Sequence, residues 1–186
     1  TALLGLFDIL AVTGRNEFKG ELLKELERHA ATLNRLRQSP GIDSDTLSAV
    51  LAEIGAVIGR IHRLDSLALD AVRQIDFLSA IHKRSQVPGG TCRFDLPALY
   101  HWLQQDSLVR DEHLQEWLAP FAPLREAVAL ILQLIRESAI PQPELAIRGF
   151  FQRGLDPGAP NQLIRVLLSP GGILFPEISG GRHRFT

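Results

Sequence analysis

The sequence predicts an α+β fold, a mainly α-helical bundle domain over residues 1–140 followed by a small antiparallel β-sheet domain over residues 141–186. Two observations carry this. Up to residue 140 the apolar residues recur at the spacing of one helix face, three or four apart. After Pro141 and Pro143 they gather in short β-branched or aromatic runs parted by glycine and proline, which is a strand-and-hairpin pattern. The composition agrees with a packed chain. Of 186 residues, 45% are hydrophobic and 22% charged, close to the average for globular proteins, which excludes intrinsic disorder and collagen-like order.

From Phe18 the apolar positions Phe18, Leu22, Leu26, Leu33 and Leu36 form one stripe, with Glu21, Lys24 and Glu25 on the wet side. Ser39-Pro40-Gly41 ends that helix, because proline cannot continue the ladder of backbone bonds. The next helix carries Leu47, Val50, Leu51, Ile54, Ile58 and Ile61. Ala52, Gly55, Ala56 and Gly59 lie between them and allow a neighbouring backbone to come close. Each interior glycine costs about 1 kcal/mol against alanine, and close packing is the compensation expected. A third, less regular helical stretch runs from about Leu67 to Lys83.

Val87-Pro88-Gly89-Gly90 reads as a turn, with proline presetting the second position and glycine accepting positive φ at the third. Asp95 is expected to cap a short helix through Leu103, with Pro97 in its first turn. Further helices are expected over Glu112–Ala119 and Leu124–Ser138. The last of these is apolar on nearly every side and should be central in the core. Strands are expected at Leu145–Phe151, Leu163–Leu168, Ile173–Phe175 and His183–Thr186, the final one cut off as it starts.

Charge and cysteine content narrow the function. Net charge is −1, so the global basic field of a nucleic-acid-binding protein is missing. The balance is uneven: residues 147–186 carry +3 and residues 1–146 carry −4, so the C-terminal part is suited to meet something acidic. No uninterrupted apolar run approaches the ~20 residues of a membrane span, and no secretory leader opens the chain. The single cysteine, Cys92, fits a reducing cytosol. The lack of methionine and the start at Thr1 read as a fragment.

Enzyme motifs are missing. No nucleophile elbow, phosphate loop, dinucleotide fingerprint or zinc helix is present. Cys92 with His101 lacks an orienting third group, so Cys92 is expected to be a buried or half-buried structural thiol. Glu25 and His29, four apart on one helix, fit a surface ion pair better than half of a metal site. Trp102 and Trp117 suit core packing. What remains positive is Arg182-His183-Arg184 after a glycine turn. Either these residues hold carboxylates, to which the planar arginine fork is matched, or they are exposed strand residues that discourage edge-to-edge pairing.

Three stretches in order carry a resemblance. They are Gly20-Glu21-Leu22-Leu23-Lys24-Glu25-Leu26, then Val87-Pro88-Gly89-Gly90-Thr91-Cys92-Arg93-Phe94-Asp95-Leu96-Pro97 with Trp102-Leu103, and Pro176-Glu177-Ile178-Ser179-Gly180. Leu134-Ile135-Arg136 with Ser138-Ala139 adds a weaker match. Together they resemble the ZapD family, bacterial cell-division proteins that associate with the tubulin-like protein FtsZ. The resemblance runs over essentially the whole chain, with an N-terminal segment and the last strands of the family expected to lie outside it.

The resemblance implies a helical domain with a β domain, a homodimer formed through the helices, no enzymatic activity and no cofactor or metal. It also implies bundling of FtsZ filaments through the short C-terminal tail of FtsZ, on a basic surface, in the cytoplasm at mid-cell, with neither nucleic acid nor membrane as a partner. Arg15 and Arg184 match basic family positions, Arg182 matches a site that is basic in relatives, and His183 lies between the last two. One departure stands out. Two residues before Trp102, where the family carries histidine, this sequence has Tyr100, with His101 beside it. The reading is therefore a dimeric adaptor that cross-links FtsZ filaments. The rival reading is a helical scaffold of the same fold that binds a different acidic protein.

Overall fold

A computed structural model describes residues 2–15, 17–37, 41–156, 158, 161–181 and 183–186. Eight α-helices and a two-stranded antiparallel sheet are found among the described residues, an α+β architecture. The chain divides into two compact units, Thr1–Ile131 and Leu132–Thr186.

In the first unit, α1 (Ala2–Thr13) buries Leu6 and Phe7. The stripe read from Phe18 becomes α2 (Phe18–Leu36), of which Leu22 is buried, Leu26 fully buried and Leu36 exposed. α3 (Ser44–His62) begins at Asp43, whose carboxylate accepts from the Asp45 amide at 3.1 Å and the Thr46 hydroxyl at 2.5 Å. Those bonds, the hydroxyl first, favour the charged form and hold the Asp43 carboxyl below the usual carboxylate range. α3 packs on α2 and buries Leu47, Ile54, Val57 and Ile61. Its small residues Ala52, Gly55 and Ala56 face outward, and a Cβ at Gly55 would meet nothing within 4 Å.

The expected single helix over Leu67–Lys83 is instead two, α4 (Ser66–Arg73) and α5 (Asp76–Ser85). Gln74 closes the first, and Ile75 takes an extended ψ of 114° before the second starts. The bend lets Leu69 and Val72 of α4, and Leu78 and Ile81 of α5, all reach the interior. The turn at Val87–Gly90 forms as expected: Gly89 has φ +75°, and the Gly90 amide bonds the Val87 carbonyl at 2.9 Å. Gly90 admits no Cβ, which would lie 2.5 Å from the Arg84 carbonyl oxygen.

α6 (Pro97–Leu103) opens with proline as read, but Asp95 does not cap it. Leu96 stands at the cap without a side-chain bond, and the Asp95 carboxylate is engaged by the Cys92 thiol at 3.0 Å. α7 (Ser107–Leu118) starts five residues before the expected Glu112, because Asp106 accepts from the Leu108 amide at 2.8 Å and caps it. Trp102 and Trp117 are buried around Phe77, with ring centroids 5.7–6.0 Å apart.

A short 3₁₀ turn (Ala119–Phe121) leads into α8 (Ala122–Glu137). α8 is one-sided, not apolar all round: Leu124, Ala127, Leu130 and Ile131 are buried, whereas Leu132, Leu134 and Ile135 are half-exposed. The helical stretch Ser107–Glu137 is, by length and composition alone, long and apolar enough to cross a membrane. Reading uninterrupted runs alone missed this. Among the described residues no polar or charged residue is fully buried.

In the second unit the β content is smaller than expected. Arg153–Gly154 (β1) pairs with Arg184–Phe185 (β2), in the register Arg153↔Phe185 and Gly154↔Arg184. The expected strand Leu145–Phe151 is a tight turn, bridged between Ile147 and Phe150, with Arg148 at φ +57° and Gly149 at φ +79°. Leu163–Leu168 and Ile173–Phe175 form no ladder. Their apolar side chains stand in solvent, and Ile173 is 99% exposed.

Candidate functional site

The turn between α1 and α2 sets the geometry of the site. The Gly14 amide bonds the Leu10 carbonyl at 3.0 Å, the Arg15 amide bonds Val12, and the Phe18 amide returns to the Arg15 carbonyl at 3.0 Å. This places Arg15 at the lip of a cleft of about 220 Å3, wholly within the first unit. Phe18, Leu64, Leu69 and Leu124 form its apolar lining; Arg15, Lys19, Asp70 and Arg73 supply its charges. The Arg15 side chain is exposed and has no ion-pair partner among the described residues. Arg73, in contrast, is paired with Asp70 at 2.5 Å. An apolar lining under a cationic lip suits an apolar side chain that carries a carboxylate beside it.

Of the residues singled out from sequence, Arg15 lines this cleft. His183 and Arg184 belong to the second unit, and Arg182 lies outside the described residues. Both His183 and Arg184 are exposed. The His183 carbonyl accepts from the Leu155 amide at 2.7 Å, so the backbone here is tied while the side chains remain available. Arg153 on the neighbouring strand adds a cation that sequence reading missed, but Glu144 pairs with it.

Lys19, Asp70 and Arg73 were also missed. The visible signal was the Asp70–Arg73 spacing on one helix turn, which marks an ion pair. Nothing local says that the pair meets the end of α1, 60 residues earlier.

The Pro-Gly-Gly stretch places its functional groups differently from expectation. Cys92 is exposed, not buried or half-buried, and its thiol donates to Asp95. Arg93 stacks its guanidinium 4.3 Å above the Tyr100 ring, so the residue standing where the family has histidine is covered on one face by a cation. His101 is exposed. Glu25 and His29 are 3.2 Å apart on α2, but His29 is half-buried and its pKa is lowered, so the charged partner of Glu25 is Arg28 at 2.6 Å and not His29 at the surface.

These features define an α+β protein with a helical unit bearing a basic-lipped cleft and a second unit bearing a short basic strand. A family model described as ZapD, cell division protein, matches residues 1–186. The sequence is 41% identical over 179 residues to the cell division protein ZapD of Methylococcus capsulatus, covering 96% of this chain and 70% of that protein. The chain belongs to the ZapD family, and its role lies in cell division.

Proposed function

We propose that this protein is a non-enzymatic, dimeric adaptor of the division site that binds the C-terminal tail of FtsZ and bundles FtsZ filaments. The observation that supports this reading best is Arg15 at the lip of an apolar-lined cleft, unpaired by any described side chain. A tail peptide with carboxylates and an apolar anchor is complementary to that arrangement. Arg184 on β2 and His183 just before it, both exposed, offer a second basic contact. The Arg182 proposed with them lies outside the described residues.

The mechanism rests on valency. Each protomer carries one tail site, a dimer carries two, and a filament presents many tails, so weak single contacts add to avidity. The outward face of α3, with Ala52, Gly55 and Ala56, supports the dimer, because small residues let a second backbone approach. The site of action is cytoplasmic, at mid-cell, with neither nucleic acid nor membrane as a partner and no cofactor. The test is co-sedimentation with FtsZ filaments. Full-length FtsZ is expected to bring the protein into the pellet as bundles, and FtsZ lacking its tail is expected to leave it in the supernatant. Pelleting with neither would favour the rival reading, a scaffold for another acidic protein, and equal pelleting with both would move the FtsZ contact off the tail.

A further inference from the structure

We propose that Arg73 is the positioning residue of the cleft: it locks the C-terminal end of α1 to α4 and so fixes Arg15 at the lip. This inference rests on the reading of the cleft as the tail site. The geometry is that of a clamp. One nitrogen, Nη2, donates to the Leu10 carbonyl at 3.1 Å and the Thr13 hydroxyl at 3.3 Å; the other, Nη1, holds Asp70 on its own helix at 2.5 Å. The Thr13 hydroxyl in turn donates to the Ile9 carbonyl at 2.8 Å. A guanidinium at this point adds a second donor to the Leu10 carbonyl, which already accepts from the Gly14 amide, and its charge complements the negative end of α1.

Two details make the clamp specific to arginine and to this turn. The fork reaches a carbonyl, a hydroxyl and a carboxylate at once, which the single ammonium of lysine cannot do in one position. The next residue after α1 is Gly14, and a Cβ there would lie 3.0 Å from the Leu10 carbonyl oxygen and 3.1 Å from Arg73 Nη2. Glycine therefore leaves room for the guanidinium against the helix end. Because Asp70 already engages Arg73, the clamp offers its hydrogen bonds inward, and the charge it leaves for a ligand is that of Arg15 and Lys19.

The test uses Arg73→Lys, which keeps the charge and loses the fork, and Gly14→Ala, which keeps Arg73 and crowds it. Backbone amide hydrogen exchange at Gly14 and Arg15 is read alongside binding of a fluorescent FtsZ tail peptide, with circular dichroism as the fold control. Both variants are expected to speed exchange at these amides by about tenfold or more, the loss expected when bonds to a charged donor are removed. Both are also expected to weaken tail binding severalfold, although Arg73→Lys changes no charge. Unchanged exchange, or normal tail binding by Arg73→Lys, overturns the clamp. Wild-type protein serves as the reference: if it fails to bind the tail, the partner reading falls, and the exchange measurement alone decides whether Arg73 positions the turn.

Discussion

Trp102 donates its indole N–H to Nδ1 of His113 at 3.1 Å, joining α6 to α7 inside an aromatic cluster. The His113 ring also lies nearly parallel to that of Trp117, 5.8 Å away. Replacing His113 by Ala leaves a buried indole N–H without a partner and removes the stacked ring. The expected cost is about 1–3 kcal/mol, read as a thermal midpoint lower by several degrees. An unchanged midpoint would mean that water takes over the indole proton at no cost.

Acid should destabilise the first unit through His29. Burial, and then the neighbouring charge of Arg28, lower its pKa below the usual imidazole value, while Glu25 pulls the other way. A histidine lowered on folding contributes stability above its unfolded pKa and loses it as pH falls through that value toward the folded one. His29→Gln is therefore expected to flatten the fall in stability between about pH 7 and pH 5. Urea titrations of both proteins across that range check this; parallel curves would contradict it.

The outward face of α3 can be tested without disturbing the protomer. A Cβ at Gly55 meets nothing within 4 Å, so Gly55→Arg can be directed outward. Removing a mid-helix glycine should keep the fold or stabilise it by up to about 1 kcal/mol. Light scattering is expected to show dimer for the wild type and monomer for the variant. A variant that stays dimeric would place the dimer contact on another face.

Cys92 is exposed and its thiol donates to the Asp95 carboxylate, with no histidine hydrogen-bonded to it among the described contacts. Cys92→Ser keeps a donor toward Asp95 and should bundle FtsZ as the wild type does. Loss of bundling by a folded, dimeric Cys92→Ser protein would point to a working thiol.

How far the sequence could be read follows from how local each signal is. The stripe from Phe18 and the run from Leu47 show α2 and α3, because a helix face is written within a few turns. Pro88-Gly89 specifies its own turn by the φ values it permits. Asp95 misled because a capping residue and a partner for a nearby thiol look the same in one dimension, whereas Asp106, the true cap of α7, was passed over. The strand expectations failed at Leu163–Leu168 and Ile173–Phe175, because β-propensity records a surface that fits a neighbour and says nothing of whether one is paired there. The cleft was legible only at Arg15, and only through a family resemblance. Its other charged residues converge because α4 meets the end of α1 across a separation of 63 residues, which no spacing rule reports.

The central claim is that exposed basic side chains capture the FtsZ tail, and Arg15→Glu combined with Arg184→Glu tests it most directly. Both side chains are exposed, so the exchange should leave the fold and the dimer intact by circular dichroism and light scattering. A single exposed ion pair is worth only ~0–1 kcal/mol, but reversing two charges replaces attraction with repulsion at both residues. The measurement is bundling of FtsZ filaments by the double variant and the wild type at low and high salt. The account predicts bundling by the wild type that weakens as salt is added, and none by the variant. Full bundling by the charge-reversed protein would contradict it and move the tail site away from Arg15 and Arg184.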